Sequence, residues 1–167
     1  QGFKDYMNDM NIAQKYAALN RKAMIDEIVT KMDWKITDQF TTIHNYIDME
    51  NMILRKGAIS AQKDERVIIP INMRDGSIIA FGKGNPDWNF SGPHGAGRIM
   101  SRKKAKELLS LEDFQNTMTE VWTTSVVEST IDEAPMVYKP MDEIIENTKE
   151  TIDIKHIIKP LYNFKAN

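Results

Sequence analysis

A single imidazole is the most suggestive chemical group in this chain. His94 sits in Ser91-Gly92-Pro93-His94-Gly95-Ala96-Gly97-Arg98, with residues of little bulk on both sides. Small neighbours let backbone approach a large ligand, and backbone N–H groups leading toward a helix start form an anion cradle. An imidazole in such a cradle can attack phosphorus and form a phosphoramidate. The same composition also fits a tight turn with an exposed or core-satisfied histidine, and taken alone it favours that plainer reading.

A second imidazole, His44, is followed by Asn45, Asp48 and Glu50. Imidazole, amide and carboxylates suit part of a Mn²⁺ or Mg²⁺ site, although one histidine cannot complete one, and a hydrogen-bonded strand histidine fits as well. Arg98, Arg102, Lys103, Lys104 and Lys106 follow the glycine loop. They suit either neutralisation of a phosphodiester backbone or a solvated helix face. His156 reads as structural. The chain has no cysteine, which excludes disulfide frameworks, zinc ribbons and thiol catalysis from it.

These groups need elements to hold them. Ile12, Tyr16, Leu19 and Ala23, extended by Met24, Ile28 and Met32, predict a long amphipathic helix over the first thirty or so residues, packed on a core. Phe40 to Asn45 reads as a strand ending on His44-Asn45. Val67 to Ile71 and Ser77 to Phe81, joined through Asp75-Gly76, predict a hairpin. Gly82 to Gly97 reads as one long ordered loop anchored by Trp88 and Phe90. Ser101 suits a helix N-cap, and a second helix starts near Ser110 with Asp113 three residues on. Pro140 suits the first turn of a helix running to about Thr151, and Pro160 precedes a short strand, Leu161 to Lys165. There is no internal repeat or low-complexity tract.

The length, 167 residues, fits one domain or part of one, and 41% hydrophobic with 28% charged residues is an ordinary globular mixture. The net charge of −2 argues against a wholesale basic surface but leaves room for a local basic stripe. No apolar stretch is long enough to cross a bilayer, so the expectation is a cytoplasmic protein without a membrane partner. The opening on Gln1 leads to the expectation of a trimmed chain. The pattern as a whole predicts an α+β fold, with mixed or antiparallel sheets and helices packed around them.

Several ordered segments resemble one family, the RtcB RNA-splicing ligases. They are His44-Asn45, Arg55-Lys56-Gly57-Ala58, Gly82-Lys83-Gly84-Asn85, His94-Gly95-Ala96-Gly97-Arg98 with Met100-Ser101-Arg102, Tyr138-Lys139-Pro140 with Asp142-Glu143, and Lys165. The resemblance implies an RtcB-like catalytic domain of which residues 1–167 form the carboxy-terminal part. It implies a GTP- and Mn²⁺-dependent ligase that joins RNA 3′-phosphate or 2′,3′-cyclic phosphate ends to 5′-hydroxyl ends in tRNA splicing or RNA repair. By that resemblance His94 accepts the guanylate, His44 is a manganese ligand and Asn45 touches the nucleotide phosphate. Gly95, Ala96 and Gly97 hold the nucleotide, Tyr138 and Lys165 meet the guanine, and Pro70, Ile71, Asn72, Met73 and Ser77 form another wall.

Two departures from the family pattern stand out. Pro70-Ile71-Asn72-Met73-Arg74-Asp75-Gly76 replaces a Pro-Gly-Ser-Met run and a Gly-Thr-rich turn, so contacts by that segment differ. The family's other metal ligands, a cysteine and further histidines, belong to an amino-terminal half, which becomes an expected partner, and this chain alone is expected to be inactive. The competing readings are a non-catalytic nucleotide- or RNA-binding remnant and a metal-dependent phosphoesterase of RNA ends.

Overall fold

The computed structural model describes residues 1–165, so the last two positions of the expected 1–167 domain lie outside it. Helix α1 covers Gly2–Lys31, with Asp5 in the first turn and Lys31 in the last, where each charge favours the helix dipole. Its expected core packing does not hold: no residue of α1 is buried, and Ile12, Tyr16 and Leu19 are well exposed. The side that meets the body carries Met10, Gln14, Ala17 and Arg21, each partly buried. Ile12, Tyr16 and Leu19 fall on a different side of the helix, which a neighbour placed along Gln14 cannot cover. Gln14 ties the helix down, accepting from the Ile47 backbone N–H at 2.6 Å and donating to the Ile47 carbonyl at 3.1 Å.

Two antiparallel three-stranded sheets form the body. The first places β2 (Ile53–Ser60) between β1 (His44–Asp48) and β5 (Ser91–Pro93). The second places β4 (Gly76–Gly82) between β3 (Arg66–Asn72) and β7 (Ile152–Ile158). A short parallel pair joins β6 (Trp122–Thr123) to β8 (Tyr162–Asn163). Helices α2 (Arg102–Leu108), α3 (Leu111–Thr117) and α4 (Met141–Thr148) complete an α+β arrangement, as the pattern predicts.

Alternation builds the main core. Val67, Ile69 and Ile71 of β3 and Ile78 and Ala80 of β4 point inward, where they meet Ile59, Ile144 and Ile152. Ala96, from the His94 loop, is buried in the same cluster, so the core itself grips the loop. The hairpin between β3 and β4 turns on Asn72, whose side-chain oxygen accepts from the backbone N–H groups of Arg74 at 2.9 Å and Asp75 at 2.8 Å. Gly76 follows at φ 86°, and a Cβ there would lie 1.9 Å from the Ile158 carbonyl oxygen, so no side chain fits. Both helix starts expected at serines hold: Ser101 accepts from Lys104 N–H and Ser110 from Asp113 N–H.

Other expectations need correction. Phe40 to Ile43 is not a strand, and β1 instead begins at His44. Phe40 lies under the Arg66 guanidinium, 4.0 Å from ring centroid to carbon, and the Thr42 hydroxyl accepts from Ile68 N–H at 3.1 Å. These β-forming residues thus cover an edge through side chains instead of extending a ladder. The long loop from Gly82 is not wholly irregular: it contains a 3₁₀ turn at Pro86–Trp88 and strand β5. Helix α4 stops at Thr148, short of Thr151, and the strand expected over Leu161 to Lys165 shrinks to Tyr162–Asn163. No described helix is long and apolar enough to cross a membrane.

Candidate functional site

His94 follows β5 directly and projects, exposed, beside Gly57 of β2. Its Nδ1 lies 2.6 Å from the Gly57 carbonyl oxygen. A carbonyl only accepts, so Nδ1 donates, and in the neutral ring Nε2 keeps its lone pair. Gly57 has φ 70°, and a Cβ there would stand 3.6 Å from the His94 ring. Space alone would admit a methyl group; the left-handed backbone is what favours glycine. The Asn45 side chain fixes this residue by accepting from Gly57 N–H at 2.7 Å.

The His44 ring stacks on His94, centroids 4.8 Å apart and planes 14° from parallel. Burial, followed by the charges of His94 and Arg21, holds the His44 imidazole below its usual pKa and keeps its lone pair available near neutral pH. The nearby carboxylates do not join it. Asp48 instead accepts from Arg55 and Asn51. Among the described residues no group of three or more His, Cys, Asp or Glu side chains is disposed around a metal position. An imidazole such as His44 can serve a divalent cation as a single donor.

On the other side of His94 opens a cleft of about 470 Å³. Asn45 aside, the residues that the family resemblance assigns to the nucleotide all line it: Pro70, Ile71, Asn72, Met73, Ser77, Gly95, Ala96, Gly97, Tyr138 and Lys165. The Pro70 carbonyl accepts from Ala96 N–H at 3.2 Å, joining the glycine loop to β3. Asn72, despite its departure from the family pattern, reaches the cleft wall while its side chain holds the hairpin turn through Asp75 at 2.8 Å.

Much of the expected basic run is paired within the chain, although Arg102, Lys103 and Lys106 stay exposed. Arg98 donates to the Asp132 carbonyl and to Tyr138 Oη, and Arg102 pairs with Asp132 at 2.5 Å and Glu133 at 2.6 Å. Lys106 lies 3.6 Å from Asp132, and Lys103 lies 3.8 Å from Glu107. Asp132 and Glu133, distant in sequence, thus meet Arg98, Arg102 and Lys106, which a linear reading leaves for an outside anion.

The tRNA-splicing ligase RtcB family matches residues 1–166. The chain belongs to that family. It is similar to the RNA-splicing ligase RtcB of Escherichia coli (strain K12), with 35% identity over 181 residues, covering 98% of this chain and 44% of that protein. It is also similar to the tRNA-splicing ligase RtcB of Methanopyrus kandleri, 29% identical over 193 residues, covering 88% of this chain and 19% of that protein. The chain spans less than half the length of these RtcB relatives.

In this RtcB-family cleft Glu133 is the residue that sequence reasoning missed. Its carboxylate accepts from Tyr138 Oη at 2.7 Å and Arg102 at 2.6 Å, with the Lys165 ammonium 3.7 Å away. Burial opposes its charge, yet these partners hold its pKa below the usual carboxylate value. The only available signal was the Asp132-Glu133 pair, and a carboxylate pair by itself is uninformative.

Burial and the neighbouring Glu133 push the Tyr138 phenol from 10.0 up to about 12. A raised folded-state pKa stabilises fully below the unfolded value and is lost as pH climbs through the folded one, so this contribution fades between pH 10.0 and about 12. Ultraviolet titration of the folded protein is expected to show one phenol ionising last, absent in Tyr138→Phe. An unchanged late phase in that variant would contradict the assignment.

Proposed function

We propose that this chain carries the guanylate-accepting part of a GTP- and Mn²⁺-dependent RNA ligase. The enzyme joins RNA 3′-phosphate or 2′,3′-cyclic phosphate ends to 5′-hydroxyl ends in tRNA splicing or RNA repair. The observation that carries this reading is the His94 tautomer: the Gly57 carbonyl accepts a hydrogen bond from Nδ1–H, leaving Nε2 of the neutral ring nucleophilic beside a glycine-lined cleft. Family membership and the names of the relatives supply the RNA-joining reaction.

In the proposed reaction Nε2 attacks the α-phosphorus of GTP, the new P–N bond replaces the bond to pyrophosphate, and pyrophosphate leaves. The Nδ1–H bond to Gly57 disperses positive charge on the phosphoramidate ring. A 2′,3′-cyclic end is first opened at its P–O2′ bond by water to give the 3′-phosphate; guanylate then passes to that phosphate as the P–N bond to His94 breaks, and GMP leaves when the 5′-hydroxyl attacks. Bound Mn²⁺, with His44 as one ligand, supplies neutralisation of phosphate charge. The other ligands come from polypeptide outside the described residues, the amino-terminal part of the catalytic domain in this reading. Asn45 keeps His94 aligned through Gly57, and Tyr138, Glu133 and Lys165 form the guanine end of the cleft. The proposed compartment is the cytoplasm.

The full-length protein incubated with α-labelled GTP and Mn²⁺ is expected to take up label and to join RNA with the stated ends. Cleavage of cyclic phosphate ends without labelling or joining would replace this reading with a phosphoesterase. Nucleotide binding with neither activity would replace it with a binding remnant.

A further inference from the structure

Arg21 is a cation that the internal network leaves unused. Its Nε is buried and has no hydrogen-bond partner, and no carboxylate among the described residues pairs with it. A guanidinium N–H removed from water without an acceptor is unfavourable, so an acceptor at that position is physically called for.

The fold places this group beside the transfer site. Gln14 clamps α1 to Ile47 in β1, and Arg21 lies two helical turns beyond Gln14 on the same side, about 10 Å along the axis. His44 lies three residues before Ile47, also about 10 Å along its strand. Arg21 is therefore level with His44 when helix and strand run in opposite directions. Arg21 is partly buried on the side of α1 that Gln14 presents to the body, and its charge acts on His44 in keeping with that placement. His44 in turn stacks on His94.

We infer that Arg21 is an anion contact of the transfer site, its guanidinium donating to phosphate oxygens of the nucleotide whose α-phosphorus meets His94. The identity of that nucleotide rests on the ligase reading; the anion contact itself rests on the placement of Arg21. Guanidinium suits the task because it stays charged and its planar donors match phosphate oxygens.

The test uses the full-length protein with Mn²⁺ and compares the parent with Arg21→Gln and Arg21→Lys. Glutamine keeps helix propensity and length while removing charge. Arg21→Gln is expected to bind inorganic tripolyphosphate at least about tenfold more weakly, with guanosine binding and melting temperature unchanged. Arg21→Lys is expected to recover part of the loss. Unchanged tripolyphosphate affinity in Arg21→Gln, or a parent that binds none, overturns the inference. A parallel fall in guanosine affinity and melting temperature that lysine does not relieve also overturns it, by making Arg21 a purely structural group. If the parent accepts no guanylate yet Arg21→Gln selectively loses tripolyphosphate, the ligase reading fails and the anion contact stands.

Discussion

His94→Ala is expected to abolish guanylylation of the full-length protein and to lower RNA joining by a factor on the order of 10⁴ or more, as removal of a covalent nucleophile does. No neighbour offers a replacement: His44, stacked 4.8 Å from His94, commits its lone pair to the metal in the proposed reaction. His94 is exposed, which makes the same substitution nearly silent in thermal melting. His94→Asn is expected to fail equally, because an amide nitrogen has no comparable lone pair. Retention of a GTP-derived label by either variant, mapped to another residue, would move the nucleophile elsewhere.

The second large effect concerns stability. Arg55 is 2% exposed and donates to Ser91 Oγ, Tyr46 Oη, Asp48 and the carbonyls of Asn89 and Phe90. It therefore joins β1, β2 and the approach to β5, the three pieces that place His44, Gly57 and His94. Asn89 and Phe90 both have positive φ, 48° and 51°, a conformation that costs a residue with a side chain roughly 1–2 kcal/mol. Arg55→Ala leaves the partly buried Asp48 carboxylate without its cation and several other acceptors without a donor, and is expected to destabilise the protein by about 3–5 kcal/mol. Chemical denaturation measures this directly. A loss below about 1 kcal/mol, the scale of an ordinary surface change, would show that Arg55 does not organise the site.

The contrast between Arg55 and the basic run near α2 shows where a linear reading stops. Arg55 appeared in a family-like tetrapeptide but had no visible partner, since its acceptors lie at Tyr46, Asp48 and residues 89–91. Arg98 and Arg102 looked free for phosphate because Asp132 and Glu133 are some thirty residues away in sequence. Helix α1 showed the reverse problem. Its apolar spacing forecast a helix correctly, yet spacing does not identify the surface that will cover each side.

What the sequence determined by itself was local. Runs of β-forming residues specified β3 and β4, the Asp75-Gly76 turn specified their hairpin, and Ser101 and Ser110 specified two helix starts, because each depends on interactions within a few residues. Ordered motifs also pointed to the family and to His94. Only the tertiary structure set the Gly57 carbonyl against Nδ1, stacked His44 on His94, closed Glu133 around Tyr138 and Arg102, and left Arg21 Nε without an acceptor among the described residues. These features depend on which groups distant in sequence become neighbours, and it is proximity in a partly dehydrated cleft that gives each its tautomer, charge and partner.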